Sequence, residues 1–386
     1  MLRSMLGILL ALTRENFLQQ ATTITSSLLF QDVQSDHFVL PLQITNKKKN
    51  RAWSVKFKLE ECNGGTSCVR FLVNDKDGTS KRVYLAAVDT GSPYLVLSGS
   101  GLQSTKESSG SLKPISLSPS VYGATNEVYG MENGTLEWKD AQVLFRSQPR
   151  LSSTNTILGF MDDLDPLKSE TGGTLLGLIK HPNPPRQERN YRPTWLEQVV
   201  LPDGSDVTSF SIDRESLVLS NQSLISKQKD RHISSAISLV DLRPLGEYVE
   251  HYVFQVKELC LDGKCITSRS FGGRPILAVI DTGLTGCLFS EPFWEILVDQ
   301  IGVDPRRVKN MVIRPEGNTS AEFSSGRKKN NLYYAGIVTL DSWFYKDQEA
   351  PYVIVLGQTF LNQGKLTVDI EERQALFELY NIETMN

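Results

Sequence analysis

Apolar residues along the chain fall in short β-branched or aromatic runs, separated by clusters of Gly, Asn, Asp and Ser. This alternation is typical of β-strands joined by turns. It predicts strands at Phe38 to Thr45, Trp53 to Leu59, Val69 to Val73, Val83 to Val88 and Tyr94 to Ser98. We therefore predict an all-β fold.

Two segments have helical spacing instead. Apolar residues recur three or four positions apart from Glu291 to Ile301, and a shorter helix is predicted from Trp195 to Val200. The stretch from His181 to Pro193 contains several prolines and charges, which predicts an exposed loop.

The two halves of the chain repeat one series of elements. Val55 to Val69 reads VKFKLEECNGGTSCV and precedes Asp89-Thr90-Gly91, whereas Phe254 to Ile266 reads FQVKELCLDGKCI and precedes Asp281-Thr282-Gly283. Each half predicts a strand, a Cys-bounded turn, a returning strand, and an apolar strand that ends in Asp-Thr-Gly. Because chance rarely supplies such an ordered series twice, we infer a duplication. We assign a leader to residues 1–36, an N-terminal lobe to 37–207 and a C-terminal lobe to 208–386.

The composition is that of a globular protein. The 386 residues are 40% hydrophobic and 22% charged, and the net charge is −3. Two short basic runs, Lys47 to Lys49 and Arg327 to Lys329, lie beside Asn or Gly and are interpreted as solvated turns. Nucleic acid is therefore not an expected partner.

The five cysteines form two close pairs and one single residue. Cys62 with Cys68 and Cys260 with Cys265 suggest two short disulfides and an oxidising compartment, although two reduced thiol pairs in the cytosol have the same spacing. The four histidines lie apart from one another and from the cysteines, so we expect no metal and no other cofactor. For Cys287 we expect a buried small side chain, with a reactive thiol as the alternative.

The N-terminus resembles a secretory signal. Arg3 precedes an apolar run from Met5 to Leu12. Because Thr13-Arg14-Glu15 interrupts that run, a transit peptide and a buried first helix stay open as alternatives. No later stretch reaches the roughly 18 apolar residues needed to span a bilayer. We predict a mature chain without a membrane span, in the secretory pathway, either extracellular or in an acidic vacuole-like or lysosome-like compartment.

Each Asp-Thr-Gly follows an apolar run, so a buried strand delivers a carboxylate at its end. The glycine permits a sharp turn, and the threonine hydroxyl can hydrogen-bond across an interface. If the two loops meet, the two carboxyl groups hold one proton between them, because like charges at close range do not both ionise readily. One group can then act as a base and the other as an acid.

These motifs resemble those of the pepsin-like aspartic peptidase family. Asp89-Thr90-Gly91-Ser92 and Asp281-Thr282-Gly283 are similar to its two active-site loops, and the segment Val128 to Thr135, with Tyr129-Gly130, is similar to its flap. Thr174 to Leu178 resembles the apolar-apolar-Gly segment that crosses behind the first active-site loop, and Val353 to Gly357 is the matching segment of the second half. The resemblance extends from about Phe38 to Leu379.

The resemblance implies a bilobal fold with a cleft between two β-barrel-like lobes. It implies catalytic Asp89 and Asp281, and a monomer that hydrolyses extended polypeptides at acidic pH without a cofactor. Its active-site support residues are Thr90, Gly91, Ser92, Thr282 and Gly283, and its flap residues are Tyr129 and Gly130. Two alternatives stay open: a catalytically silent homologue that binds peptides or proteins, and a retroviral-type protease domain, which predicts one motif and a homodimer.

Several positions depart from the family pattern. Leu284 stands where the family has Thr or Ser, so we expect Asp281 to lack a hydroxyl donor that Asp89 retains through Ser92. Val96 stands where the family commonly has a Trp that supports the flap, which leaves two alternatives: a more loosely positioned flap, or support from Tyr94 or Trp138. The first cysteine pair precedes the first active-site loop instead of following it. The segment from Thr13 to Asp36 is short and not notably basic, unlike an inhibitory prosegment.

Overall fold

A computed structural model gives the fold of most of the chain. It describes residues 52–62, 66–78, 81–98, 115–129, 132–145, 147–148, 151, 155–161, 174–180, 192–225, 236–242, 251–317, 322–324, 335–338 and 351–380. The leader assigned to residues 1–36 and the strand predicted at Phe38 to Thr45 lie outside the described residues.

The first part of the chain contributes eleven strands and one short helix to the described structure. The helix is α1, Trp195–Gln198. The strands are β1 (Ser54–Glu61), β2 (Ser67–Asn74), β3 (Lys81–Asp89), β4 (Leu95–Ser98), β5 (Ser118–Tyr129), β6 (Glu132–Ala141), β7 (Val143–Leu144), β8 (Thr156–Met161), β9 (Leu175–Gly177), β10 (Ser209–Ile212) and β11 (Ser216–Ser220).

The second part contributes eleven more strands and two helices. The helices are α2 (Glu291–Asp299) and α3 (Gln358–Leu361), and two 3₁₀ turns cover Ser268–Phe271 and Pro305–Arg307. The strands are β12 (Ile237–Ser238), β13 (Val253–Leu261), β14 (Lys264–Ile266), β15 (Ile276–Ile280), β16 (Cys287–Ser290), β17 (Met311–Pro315), β18 (Phe323–Ser324), β19 (Ala335–Val338), β20 (Tyr352–Leu356), β21 (Gly364–Asp369) and β22 (Gln374–Leu379).

The structure confirms the all-β prediction and both helices. The helix predicted from Glu291 to Ile301 ends at Asp299, and the shorter one is a single turn after Thr194, which accepts from the Glu197 amide and closes a capping box. Strand β1 buries Val55, Phe57 and Leu59 and exposes the lysines between them, as alternation in a half-buried strand requires.

The strands form two sheets with a repeated arrangement of neighbours. The larger sheet runs β12-β22-β21-β10-β11-β1-β2-β3-β9-β4-β8-β6-β5, and the smaller runs β18-β17-β13-β15-β20-β16-β19. In the first, β3 pairs parallel with β9, β9 antiparallel with β4, and β4 parallel with β8. The series β15, β20, β16 and β19 has the same orientations. The inferred duplication therefore extends to sheet topology.

The larger sheet draws strands from both sides of the boundary predicted between 207 and 208. Strand β10 pairs with β11 and with β21, and β11 also pairs with β1. The division into 37–207 and 208–386 stays a prediction. Within the described part of the chain, every helix is too short or too polar to cross a bilayer.

Candidate active site

Asp89 and Asp281 lie at the carboxyl ends of equivalent strands. Asp89 ends β3, and Asp281 directly follows β15. A parallel neighbour fixes each strand end: the Leu178 amide donates to the Asp89 carbonyl oxygen at 2.7 Å, and the Asp281 amide donates to the Leu356 carbonyl oxygen at 3.0 Å. Buried strands thus hold the backbone of both aspartates.

The two Asp-Thr-Gly loops join through reciprocal threonine hydrogen bonds. The Thr90 hydroxyl donates to the Ile280 carbonyl oxygen at 2.8 Å and accepts from the Thr282 amide at 2.9 Å. In return, the Thr282 hydroxyl donates to the Val88 carbonyl oxygen at 2.7 Å and accepts from the Thr90 amide at 3.0 Å. Both threonines are buried, so these four bonds lie where competing water is excluded.

The reciprocal bonds bring the two carboxyl groups into contact. Each aspartate accepts from the glycine amide of its own loop, Gly91 at 2.7 Å for Asp89 and Gly283 at 2.9 Å for Asp281. Each glycine also faces the opposite carboxyl: a Cβ on Gly91 would lie 2.6 Å from Asp281 Cγ, and a Cβ on Gly283 would lie 2.6 Å from Asp89 Cγ. Any larger residue at either position would therefore collide with a carboxyl group.

The environment of the pair favours retention of a proton. Burial raises the pKa of Asp281 to about 8, and the charge of Asp89 and a hydrogen bond with it act in the same direction. The Gly283 amide and the charge of His251 oppose this shift in pKa. Although Asp281 as a residue is only half-buried, the facing loop encloses its carboxyl group. The pair therefore holds one proton over a pH range in which an isolated aspartate is ionised.

His251 lies two residues before β13, the strand that pairs with β15 ahead of Asp281. Val253 pairs with Val279, and the Ile280 amide donates to the Tyr252 carbonyl oxygen at 2.9 Å. Continuing this antiparallel register places His251 opposite Asp281, where side chains share one face of the sheet. A histidine cation at this position lowers the pKa of Asp281 through its charge.

The structure differs from expectation at Ser92. Its hydroxyl is buried without a hydrogen-bond partner, so the predicted support of Asp89 through that hydroxyl was wrong. The Ser92 backbone does form a hydrogen bond: its carbonyl oxygen accepts from the Ile179 amide at 3.1 Å. The two carboxyl groups thus have matching donors, the amides of Gly91 and Gly283. The serine at position 92 and the leucine at position 284 therefore do not make the hydrogen bonding of the two carboxyl groups different.

The segment predicted to form a flap is the hairpin of β5 and β6. Tyr129 pairs with Glu132 in the pair nearest the turn of the hairpin. Gly130 lies outside the described residues, and only the backbone of Tyr129 is described. The hairpin belongs to the sheet that contains Asp89, separated from β3 by β9, β4 and β8. Its role as a flap stays a prediction.

Both predicted disulfides are present. Cys62 is bonded to Cys68 and Cys260 to Cys265, and Cys287, which takes part in neither disulfide, is buried as expected. Among the described residues, the grouping of potential metal ligands is Glu258 with Cys260 and Cys265. Its two sulfurs are joined in a disulfide, so they are not available as thiolate ligands.

Sequence reasoning missed three residues around the site. Gln358 is buried and donates to the Thr282 carbonyl oxygen at 2.6 Å, and the Tyr252 hydroxyl donates to the Leu178 carbonyl oxygen at 2.6 Å. Arg192, assigned to an exposed loop, is half-buried against aromatic rings. The position of Gln358 directly after a predicted buried segment could have indicated it, whereas the sequence carries no signal for the other two.

Comparison with known proteins assigns no family. No protein-family model matches the chain, and no curated protein matches it significantly.

Proposed function

We propose that this chain is a pepsin-like aspartic endopeptidase whose catalytic pair is Asp89 and Asp281. The observation that carries the proposal is the reciprocal pairing of Thr90 and Thr282, which brings two equivalent carboxyl groups into mutual contact. A turn aspartate with only a structural role has no need of a second, symmetry-related carboxyl within hydrogen-bond range. Such pairs suit acid and base catalysis by one proton shared between two groups.

The proposed reaction uses one water molecule and the two carboxyls. The ionised carboxyl takes a proton from the water, whose oxygen bonds to the carbonyl carbon of the peptide, while the protonated carboxyl donates to the carbonyl oxygen. The C–N bond of the resulting gem-diol then breaks: the carboxyl that took the water proton gives it to the leaving nitrogen, and one hydroxyl of the gem-diol returns its proton to the other carboxyl, which restores the starting pair. The raised pKa of Asp281 supports this division of roles, because the pair keeps the required proton.

The duplicated topology supports the bilobal arrangement as part of the proposal. Strands β3, β9, β4 and β8 repeat as β15, β20, β16 and β19, with one aspartate at the end of each first strand. We propose a cleft between the two halves that accepts an extended polypeptide beneath the hairpin of β5 and β6. Two motifs in one chain favour an active monomer over a retroviral-type homodimer, and gel filtration of active protein distinguishes the two.

The disulfides support a location in the secretory pathway. Bonds between Cys62 and Cys68 and between Cys260 and Cys265 persist in oxidising compartments and are rare in the cytosol. Maximal activity at acidic pH would favour an acidic vesicle or an acidic extracellular medium within that pathway.

Cleavage of denatured haemoglobin between about pH 3 and about pH 7, with and without pepstatin, tests the proposed chemistry. Asp89→Asn and Asp281→Asn should each lower kcat by roughly 100-fold or more. Asp262→Asn is a matched control, because Asp262 lies in a turn at positive φ, which asparagine also adopts. Absence of cleavage by folded wild-type protein at every pH would reject the proposal in favour of a silent peptide-binding homologue.

A further inference from the structure

Four side chains meet near the base of the β5–β6 hairpin, and we call them the hairpin-base cluster: Tyr94, Thr125, Trp138 and Arg192. The Arg192 guanidinium lies 4.7 Å from the centre of the Trp138 ring and 5.6 Å from that of Tyr94. The two rings meet edge to face at 5.0 Å. Thr125 accepts hydrogen bonds at 2.8 Å from both Arg192 Nη1 and Trp138 Nε1.

The hairpin-base cluster joins three separate parts of the chain. Thr125 and Trp138 lie on the two strands of the hairpin, and Tyr94 follows the loop that begins at Asp89. Arg192 comes from a third segment, held to the same loop because the Trp195 amide donates to the Pro93 carbonyl oxygen at 2.8 Å. One guanidinium therefore connects the hairpin to the segment that carries the first aspartate.

The burial of the hairpin-base cluster strengthens these contacts. Trp138 is only 1% exposed, and Arg192 and Tyr94 are half-buried. A cation over an aromatic ring interacts more strongly when water is excluded, and the planar guanidinium can stack and donate at the same time. Val96 and Trp138 belong to one buried cluster, and Tyr94 packs against it, so the ring that meets the hairpin residue Trp138 comes from position 94 instead of 96.

We propose that Arg192 is a positioning residue that fixes the β5–β6 hairpin against the Asp89 loop through the rings of Tyr94 and Trp138. Its effect on substrate binding rests on the proposed function, in which the hairpin covers an extended polypeptide. The mechanical effect on the hairpin is independent of that function and is measurable in the absence of any substrate.

Amide hydrogen exchange of the purified full chain measures the mechanical effect. Arg192→Met keeps a long apolar side chain but removes the cation and the donors. We expect exchange in 118–129 and 132–141 to accelerate roughly fivefold or more, with little change in the strands of the smaller sheet. Arg192→Lys should recover part of the protection, because it keeps the charge without the planar fork.

Arg306→Met is the matched control, because Arg306 lies 5.5 Å over the Trp294 ring and joins the 3₁₀ turn Pro305–Arg307 to α2, away from the hairpin. It should leave exchange of the hairpin unchanged. Equal hairpin exchange in Arg192→Met and the wild type, or uniform acceleration across both sheets, would overturn the proposed positioning role.

Peptide-cleavage kinetics measure the effect on the substrate. Arg192→Met should raise KM several-fold, with a small change in kcat and the same pH optimum, because the contacts that it loses are with Thr125, Tyr94 and Trp138. A wild type without activity rejects the proposed function but leaves the exchange result to decide the role of Arg192. An active wild type with unchanged KM and unchanged exchange in Arg192→Met rejects the positioning role alone.

Discussion

Replacing Thr282 by valine removes the hydroxyl that joins the two Asp-Thr-Gly loops from one side. The substitution keeps the side-chain shape but deletes the donor to the Val88 carbonyl oxygen and the acceptor for the Thr90 amide. Thr282 is 2% exposed, so water does not replace these bonds. Leaving two buried backbone groups without partners, at about 1 to 3 kcal/mol each, should cost about 2 to 6 kcal/mol of unfolding free energy.

Thr367 offers a matched control for this experiment. It is 0% exposed, and its hydroxyl has no hydrogen-bond partner. Thr367→Val therefore deletes an unsatisfied buried hydroxyl and should be neutral or stabilising. Thr282→Ser keeps the hydroxyl and loses one methyl group, so it should cost about 1 kcal/mol or less.

Chemical denaturation followed by tryptophan fluorescence gives the unfolding free energies, and haemoglobin cleavage gives the activity of the same samples. We expect Thr282→Val to lose stability and activity together, because the hydroxyl sets the relative position of the two carboxyls. A Thr282→Val variant that is no less stable than Thr367→Val, or that keeps full activity, would refute the role of the Thr282 hydroxyl.

Three further predictions concern the carboxyl pair. Gly91→Ala and Gly283→Ala should each abolish cleavage, because the added Cβ would lie 2.6 Å from the opposite carboxyl carbon; full activity in either would contradict the close approach. Asp281→Asn should raise the melting temperature relative to wild type more at pH 8 than at pH 4. Between the unfolded pKa of 3.8 and the folded pKa of about 8, only the folded state of the wild type holds the proton on Asp281. The wild type therefore loses stability as pH rises through this range, whereas the asparagine variant has no such proton to lose. His251→Gln should move the alkaline limb of the pH–activity profile to higher pH, because it removes the histidine charge that lowers the pKa of Asp281. An unmoved limb would mean that the His251 charge lies too far from Asp281 to change its pKa.

Local patterns were sufficient for the elements that carry the site. The strand predicted from Val83 to Val88 is β3, which extends to Asp89, and the helix predicted from Glu291 is α2. Alternation and helical spacing report which face of a segment is buried, and this property belongs to the segment itself. Each predicted disulfide likewise joins cysteines that are close in sequence, and both disulfides are present.

Contacts between distant segments could not be predicted from local sequence patterns. Ser92 was expected to support Asp89 because it is close in sequence, yet its hydroxyl has no partner. The interpretation of His181 to Pro193 as an exposed loop did not anticipate Arg192 over Trp138, because loop composition carries no information on what a side chain meets after folding.

Residue order and hydrophobic period were enough to predict strands β1 to β4, the duplication and the two Asp-Thr-Gly motifs. The hydrogen bonds from Thr90 to Ile280, 190 positions away, and from Thr282 to Val88 emerged only in the tertiary structure. The raised pKa of Asp281 also depended on it, because that shift requires burial and a second carboxyl beside the first. Proximity between residues far apart in the chain arises from sheet packing, which local periodicity does not encode.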